Sequence, residues 1–297
     1  MINGIINVYK EKGFTSHDVV AKLRGILKQK KIGHTGTLDP DAEGVLPVCL
    51  GKATKVCDML TNHDKIYAAE LLLGVETDTQ DLSGTVLSQK EVRVEEKELR
   101  QIIAGFVGEY EQIPPMYSAL KVNGRKLYEL ARAGIEVERQ PRKVMIHSII
   151  IKEIQLPVVK MEVHCSKGTY IRTLCHDIGQ KAGCCGCMQK LIRTQVGIFG
   201  YQKSRRLEEI QQLADQGRLS EIIVPVDSLF SKYPAVHTRE NCNKQAYNGN
   251  PLAPEQCIEQ LTEKEAIRLY DAAGQFIGIY QWKEQHYVPV KIFWETK

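Results

Sequence analysis

The side chain best placed to take part in a reaction lies in the stretch from Gly33 to Lys55, GHTGTLDPDAEGVLPVCLGKATK. This stretch places Asp39 between a glycine-punctuated turn and an apolar run. Gly33 and Gly36 permit backbone conformations closed to other residues, and Pro40 fixes φ directly after Asp39, so the loop can hold the carboxylate in one direction. A carboxylate held in this way can act as a nucleophile or as a general base. The alternative is a surface turn before a buried strand, because Asp before Pro is common in turns.

Three other kinds of site are disfavoured by residue spacing. A phosphate-binding P-loop requires Lys followed by Ser or Thr, whereas Lys52 is followed by Ala53. The acidic turn 74–84 contains Asp78 and Asp81 but lacks the spacing and terminal glutamate of a calcium loop. We therefore predict no metal and no cofactor, and we expect buried, reduced thiols. The remaining candidate zinc ligands lack the separated pairs of a structural site: Cys175, His176, Cys184, Cys185 and Cys187.

The composition is typical of a globular protein that can bury a large core. The 297 residues are 43% hydrophobic and 26% charged, which suffices for one large domain and one small domain. Forty Lys and Arg against 36 Asp and Glu give a net charge of +4, so only local basic clusters argue for nucleic acid. No apolar run could span a bilayer and no signal-peptide pattern opens the chain, so we expect a cytoplasmic protein. The basic clusters comprise Lys28, Lys30, Lys31, Lys121, Arg125, Lys126, Arg132, Arg139, Arg142 and Lys143.

Hydrophobic periodicity predicts the elements that position the Asp39 loop. The segment 4–9 is predicted to be a strand, and Ser16 is expected to cap the helix that follows it. The apolar run after Asp39 predicts a buried strand, which Pro47 should confine to an edge or a bulge. Further helices are predicted at 53–60, 95–107, 125–133 and 207–216, and further strands at 66–73, 143–156, 158–165, 266–270, 276–282 and 287–293.

Three separated segments closely resemble motifs of the TruB family of tRNA pseudouridine synthases. The stretch containing Asp39 resembles the signature of that family, in which the aspartate of the GTLDP core is catalytic. The segment GIINVYKEKGFTSHDVV resembles the first motif, with Glu11 where the family usually has proline after the lysine. The segment CSKGTYIRTLCHDIG resembles the SKGTYIR motif and reads as a strand end, a glycine turn and a helix. The motifs follow the family order over the first two-thirds of the chain.

The resemblance implies catalytic roles for three residues. Asp39 is the implied nucleophile or base. Arg172 matches the arginine that pairs with the catalytic aspartate, and a guanidinium fork could hold a carboxylate in two directions and keep it ionised. Tyr67 matches the active-site tyrosine, which would stack on the uridine and is also proposed as a late base. Without the resemblance, Tyr67 and Arg172 would be interpreted as a strand tyrosine and a surface arginine.

The resemblance also implies a set of substrate-binding residues. His34 would fill the space that the flipped-out uridine leaves, although a loop histidine bonded to backbone is the alternative. Leu191 would form an apolar wall of the uridine pocket. The family typically has two arginines at this point, and Ile192 replaces one of them. Arg193 is therefore the one that would contact a phosphate. The full implied set is His34, Tyr170, Leu191, Lys10 and Arg193.

The implied fold is α+β, with a large mixed, mainly antiparallel sheet flanked by helices and loops. Residues 1–230 would form the catalytic domain and residues 231–297 a small, β-rich, PUA-like RNA-binding domain. The implied reaction is the isomerisation of uridine 55 in the TΨC loop of tRNA by a stand-alone enzyme. We expect the T-arm of tRNA as its partner, a monomeric state, and neither a guide RNA nor a membrane.

Several alternatives remain open at this point. Asp39 could attack the ribose C1′, add to the pyrimidine ring or remove the C2′ proton. A noncatalytic RNA-binding protein is disfavoured because Asp39, Tyr67 and Arg172 occur together. A glycosidase would need a second carboxyl group as its acid partner, and none stands out. A guide-RNA-dependent synthase shares the core motifs, but nothing indicates the additional extensions that bind partners.

Overall fold

The computed structural model describes residues 1–261 and 265–294. Its strands are β1 (Gly4–Lys10), β2 (Ile32–His34), β3 (Glu43–Leu50), β4 (Lys65–Leu73), β5 (Val75–Thr77), β6 (Val86–Gln89), β7 (Gly108–Gln112), β8 (Lys121–Val122), β9 (Arg125–Lys126), β10 (Arg142–Gln155), β11 (Val158–Cys165), β12 (Gly186–Val196), β13 (Phe199–Gly200), β14 (Ile223–Val224), β15 (Ala235–His237), β16 (Ile267–Tyr270), β17 (Phe276–Lys283) and β18 (His286–Ile292). Its α-helices are α1 (Ser16–Ile26), α2 (Cys57–Thr61), α3 (Glu96–Ala104), α4 (Leu127–Arg132), α5 (Ile171–Lys181), α6 (Leu207–Asp215) and α7 (Asn243–Tyr247).

One large sheet organises the first two-thirds of the chain. Ten strands belong to it, in the order β14-β1-β3-β12-β4-β11-β10-β7, with β2 and β13 pairing β3 and β12. Its strand pairs are antiparallel except for β12 with β3, so the sheet is mixed and mainly antiparallel, as predicted. A second sheet of four strands, β15-β16-β17-β18, follows towards the C-terminal end. The sheets and helices together confirm the α+β class.

The alternation of side chains along β4 explains how the middle of the large sheet is buried. Its residues alternate between buried and half-buried from Lys65 to Leu73, the period expected when only one face of a strand is covered. The covered face packs with α3 and α5 in one apolar cluster that includes Tyr67, Leu99 and Leu174. The site residues on β4 therefore point into a closed core, whereas the opposite face stays partly open.

The strands β1 and β3 are covered on both faces, which explains their nearly continuous apolar sequences. All seven residues of β1 are buried. Ile6 and Val8 pack in one cluster with residues of α1 and α6, while Ile5 packs in another cluster with Ile279 and Phe293 of the C-terminal part. The strand that follows the Asp39 loop, β3, therefore gives that loop a rigid support.

Pro47 does not confine β3 to an edge, so that prediction is wrong. The strand β3 lies between β1 and β12 in the sheet, and Pro47 pairs with Asn7 of β1. On its other side β3 pairs with β12 through Glu43 and Gly44, and with β2 only from Val48 onward. Pro47 falls in the gap between these two partners, so its missing N–H costs no ladder hydrogen bond there.

Ser16 does not cap α1, which corrects a second prediction. Thr15 is the N-cap residue: its side chain accepts from the Asp18 N–H at 3.1 Å, and Asp18 accepts from the Thr15 N–H at 2.8 Å. This reciprocal pair is a capping box. Ser16 Oγ instead accepts from the Leu38 N–H at 2.9 Å. The start of α1 is thereby tied to the residue directly before Asp39.

The remaining elements follow the predictions with small shifts. The strands β10 and β11 form the predicted antiparallel pair, and β16, β17 and β18 lie where short strands are predicted. The acidic turn 74–84, predicted as a loop throughout, begins with the strand β5 and pairs with β6. Helix α6 is followed by the short helix α7.

Among the described residues, 1–261 and 265–294, no helix is both long enough and apolar enough to cross a membrane.

Candidate active site

Asp39 lies in the loop between β2 and β3 and faces Arg172 of α5. Its Oδ2 atom is 3.0 Å from Arg172 Nε, and its side chain remains 41% exposed. The predicted guanidinium fork does not form, because Nη1 and Nη2 donate to the carbonyl oxygens of Thr79 and Tyr117, each at 2.9 Å. The arginine side chain is only 5% exposed. Arg172 thus joins three loops and offers one edge of its guanidinium to an accessible carboxylate.

A second carboxylate, which the sequence analysis does not assign to the site, faces the same arginine. Asp81 Oδ2 is 3.7 Å from Arg172 Nε, and the Asp81 side chain is 14% exposed. Its other oxygen accepts from Thr79 Oγ1 at 2.7 Å and from the Ser83 N–H at 3.0 Å. Only the acidic character of the turn 74–84 could have drawn attention to Asp81, because no local pattern brings that turn to Arg172.

The surroundings of Asp39 raise the pKa of its carboxyl group. Burial among the atoms around it is the largest cause, and the negative charge of Asp81 acts in the same direction. The positive charge of Arg172 lowers the pKa and opposes both effects. A carboxylate of raised pKa is a stronger base than a solvated one, because its charge is less well stabilised. Asp39 is therefore suited to take a proton or to form a bond.

Lys10 is buried and supports the Asp39 loop through hydrogen bonds to main-chain oxygens. It is 0% exposed, and its Nζ atom donates to the carbonyl oxygens of Phe14 at 2.6 Å and Pro40 at 3.1 Å. A third bond joins Nζ to the Glu11 carbonyl at 3.1 Å. Burial lowers the pKa of Lys10 to about 8, while the charge of Asp39 opposes that shift. All three donors of the ammonium group are directed at backbone, so in this structure Lys10 supports the loop, and its contact with substrate stays a prediction.

Arg193 supports the same loop from β12, and its predicted phosphate contact does not fit its place in this structure. The side chain is 1% exposed, so its guanidinium cannot meet a phosphate in this structure. Nε donates to the Val45 carbonyl at 2.8 Å, while Nη1 and Nη2 donate to the carbonyls of Thr37 and Gly36 at 3.4 and 3.3 Å. Both ends of the Asp39 loop are therefore fixed through their main-chain oxygens.

Two glycines allow the loop to pass so close to β12. Gly36 has φ of +129° and Gly44 has φ of +109°, values that favour glycine. A Cβ atom at Gly44 would lie 2.2 Å from the backbone oxygen of Arg193. A side chain at Gly44 would therefore separate β3 from β12, and the loop would lose its arginine support.

Tyr67 and Leu191 form an apolar wall next to the loop. Tyr67 lies on β4, is 8% exposed and pairs in register with Arg193 of β12. Burial raises the pKa of Tyr67 to about 12, so its hydroxyl group is protonated at neutral pH. Leu191 belongs to the same buried cluster as Tyr67 and Leu38. The Tyr67 ring is buried in this structure, so the stacking of a planar base on it stays a prediction.

Tyr170 and His34 lie at two edges of the site. Tyr170 precedes α5, and Gln112 bonds both its backbone N–H and its carbonyl, at 2.8 and 2.9 Å. Burial is the largest cause of the raised pKa of Tyr170. His34 accepts from the Gly36 N–H at 3.3 Å and packs edge-on against His17. Burial lowers the pKa of His34, which favours its neutral form. The contact with Gly36 is the backbone bond given as the alternative for His34.

Two family models match consecutive segments of the chain. The model described as TruB family pseudouridylate synthase (N terminal domain) matches residues 24–171. The model described as tRNA pseudouridylate synthase B C-terminal domain matches residues 172–231. The boundary between the two matches falls between Ile171 and Arg172, so Asp39 and Arg172 belong to different models.

Curated relatives match this chain over nearly its whole length. A protein of Lachnoclostridium phytofermentans named tRNA pseudouridine synthase B is 52% identical and covers 98% of this chain and 100% of its own. A protein of the same name from Clostridium kluyveri is 46% identical with the same coverage of both chains.

Solved structures show the same fold. One neighbour is described as a Cbf5-Nop10-Gar1 complex, with a TM-score of 0.73, 27% identity, and coverage of 98% of this chain and 84% of the other. A second is an H/ACA RNP bound to a substrate RNA containing 2′-deoxyuridine, with a TM-score of 0.72, 25% identity and coverage of 98% and 85%. With both family models in order and relatives of this identity over the full length, this chain belongs to the TruB family of pseudouridylate synthases.

Proposed function

We propose that this chain is a stand-alone tRNA pseudouridine synthase that isomerises uridine 55 in the TΨC loop. The observation that carries the proposal is the accessible Asp39 carboxylate, held by Arg172 beside the buried ring of Tyr67. The relatives named tRNA pseudouridine synthase B, which this chain matches from end to end, support tRNA as the substrate.

The reaction needs one carboxylate and a closed pocket. It breaks the N-glycosidic bond, turns the uracil while it is trapped, and rejoins it to the ribose through carbon. Extruding the base costs a few kcal/mol, and stacking against an aromatic ring returns about 1–3 kcal/mol. We propose that Tyr67 receives the base and that Asp39 begins the reaction by one of three routes: attack on C1′, addition to the ring, or removal of the C2′ proton.

Arg172 would set the direction and the charge of Asp39 during these steps. Its two terminal nitrogens are fixed by carbonyls, so its Nε remains at one place when the substrate enters. A positive charge at this distance favours the ionised carboxylate and opposes the desolvation that a bound base would add. The buried supports at Lys10 and Arg193 would keep the loop in position during the reaction.

Hydrolysis by a pair of carboxyl groups is less well supported. A glycosidase places an acid and a nucleophile on either side of the bond that is cleaved. Asp81 is the nearest candidate for the second group, but it faces the same arginine nitrogen as Asp39. One of its oxygens is already occupied by Thr79 and Ser83. It is therefore better suited to balance the charge of Arg172 than to protonate a leaving group.

We further propose the division of the chain that the sequence predicts. Residues 1–230 would carry out catalysis, and residues 231–297 would form a PUA-like module that binds RNA. The four-stranded sheet β15-β16-β17-β18 falls in the second segment, which supports this assignment for the described part of it. We also propose that the chain is a cytoplasmic monomer and that it recognises the T-arm of tRNA.

Pseudouridine mapping tests this function. Unmodified tRNA and an isolated T-arm stem-loop should both be converted at the position of uridine 55 by the purified chain, because RNA loops are recognised through shape and unstacked bases. No guide RNA or nucleotide is added. A stem-loop with cytidine at that position serves as the control. Conversion elsewhere in the tRNA, or none without a second RNA, would contradict the proposal.

Substitutions at Tyr67 test whether its ring or its hydroxyl group serves the reaction. Tyr67→Leu removes the ring, so turnover should fall by at least about fivefold, in line with a stacking energy of about 1–3 kcal/mol. Tyr67→Phe keeps the ring and should preserve RNA binding. Turnover of the Phe variant then reports on the hydroxyl group. If turnover is retained, Tyr67 acts by stacking alone. If turnover is lost, the hydroxyl group also transfers a proton. Wild-type turnover in Tyr67→Leu would remove Tyr67 from the mechanism.

A further inference from the structure

Three possible metal ligands meet on the sheet face opposite the candidate active site. The ligand atoms of Asp64, His147 and His164 all lie within 4.8 Å of one another. Tyr67 of β4 pairs in register with Val163, and both are buried, whereas Ile66 pairs with His164 and both are half-buried. Neighbouring residues of a strand point to opposite faces. The cluster is therefore separated from Asp39 and Tyr67 by the thickness of the sheet.

A bulge in β10 brings His147 to this cluster. Ile146 pairs with Cys165 and Ser148 pairs with His164, so His147 is an extra residue in its strand. A bulge changes the direction of a side chain relative to a regular ladder. Here it leaves the imidazole of His147 beside that of His164, with ring centroids 4.6 Å apart. Two histidines that are adjacent in space thus come from neighbouring strands.

One of the three ligand–ligand distances is already close to that around a coordinated ion, and the others lie within 4.8 Å. His147 Nε2 lies 3.1 Å from Asp64 Oδ2. Metal–ligand bonds of about 2.0–2.1 Å place two ligand atoms of a tetrahedral zinc site about 3.3 Å apart. The side chains of His147 and Asp64 are 35% and 48% exposed, so an ion could enter from solvent. Small rotations of the two imidazole rings would complete a set of three ligands and leave one position for water.

The chemistry of the ligands selects the kind of ion. Imidazole nitrogen favours zinc, nickel, copper and cobalt, whereas magnesium and calcium require oxygen ligands. One carboxylate and two neutral imidazoles neutralise only part of the charge of a divalent ion. Lys65, the residue directly after Asp64, carries a further positive charge. Lys65 is buried on the other face and donates to the carbonyls of Thr61 and His63, both at 2.7 Å. Its ammonium group is thus directed away from the cluster.

We propose that Asp64, His147 and His164 form a binding site for a divalent transition-metal ion such as Zn²⁺. The ion would join the start of β4 to β10 and β11. Because β4 carries Tyr67 three residues after Asp64, this site would stabilise the end of the sheet that supports the active site. It supplies no group to the reaction on the opposite face.

Metal titration of the purified full-length chain tests the proposal. Zn²⁺ followed by calorimetry should bind one ion per chain at this site. His164→Asn and His147→Asn should each weaken that binding by more than the roughly 10–100-fold that changes outside the ligand set cause. His286→Asn is the matched control, because His286 is an exposed histidine outside the cluster. Equal binding by the wild type and both cluster variants, or no binding by the wild type, would overturn the proposal.

Two further measurements separate this site from the cysteines and from misfolding. Co²⁺ bound through imidazole and carboxylate should show visible d–d absorption without a thiolate charge-transfer band, and such a band would overturn the assignment. Zn²⁺ should raise the Tm of the wild type and of His286→Asn, but not that of Asp64→Asn. The metal-free Tm values of the variants establish that they fold. A rise of equal size in Asp64→Asn would contradict the proposal.

Discussion

Replacing Asp39 with asparagine should lower single-turnover pseudouridine formation by at least about a thousandfold and change the Kd for tRNA by less than about threefold. The substitution preserves the size of the side chain and removes its negative charge. Neither a nucleophile nor a base remains at this position, whichever route the reaction follows. RNA affinity depends on phosphate contacts and stacking elsewhere, so binding and chemistry should separate.

Asp41→Asn provides the matched control for this experiment. Asp41 lies two residues further along the same loop, and its exposed side chain is 3.7 Å from Lys12. It faces neither Arg172 nor the core, so its replacement should leave turnover within about twofold, as for most surface changes. Wild-type pseudouridine formation by Asp39→Asn would end the proposed mechanism. An equal loss in Asp41→Asn would indicate damage to the loop instead.

Arg172→Lys should lower turnover by roughly a hundredfold and also reduce the stability of the protein. Lysine keeps the charge but has a single nitrogen, which cannot reach Asp39 and the carbonyls of Thr79 and Tyr117 together. A buried polar group left without a partner costs about 1–3 kcal/mol. Asp39 would lose its direction, and the loops at Thr79 and Tyr117 would lose their common support.

The two consequences of Arg172→Lys can be measured separately. Single-turnover rates report on Asp39, while urea unfolding reports on the carbonyl contacts through a shift in the midpoint. The control is Arg100→Lys on α3, where the arginine forms an exposed pair with Glu96. Such surface pairs contribute little to stability. If Arg172→Lys turns over tRNA at the wild-type rate, Arg172 does not position Asp39.

Local sequence patterns predicted most of the elements but few of the contacts among them. The strands β10 and β11 were predictable because the alternation of apolar and polar residues is a local signal. The cap of α1 was misplaced by one residue, since Thr15 and Ser16 both have a capping side chain. The position of Pro47 depends on which strands flank β3, and no local pattern contains that information.

The roles of the two buried cations were even harder to predict from the sequence. Lys10 and Arg193 carry charges that sequence reasoning places in solvent or against phosphate, yet both are buried against carbonyls. Their burial is tolerable because their nitrogen atoms donate hydrogen bonds to main-chain oxygens. Asp81 joins the site for a similar reason, through an arginine distant in sequence. These contacts depend on the assembled sheet, so no window of neighbouring residues reveals them.

The support of the Asp39 loop by Arg193 has a consequence for the order in which the protein folds. The bond from Arg193 Nε to the Val45 carbonyl joins residues 148 positions apart in the chain. During synthesis, the loop leaves the ribosome long before β12, the strand that inserts between β3 and β4. Pairing over such separations is slow, because the intervening chain must first be ordered. The Asp39 loop should therefore acquire its final shape late, after β12 has entered the sheet, and a nascent chain that ends before β12 should be inactive.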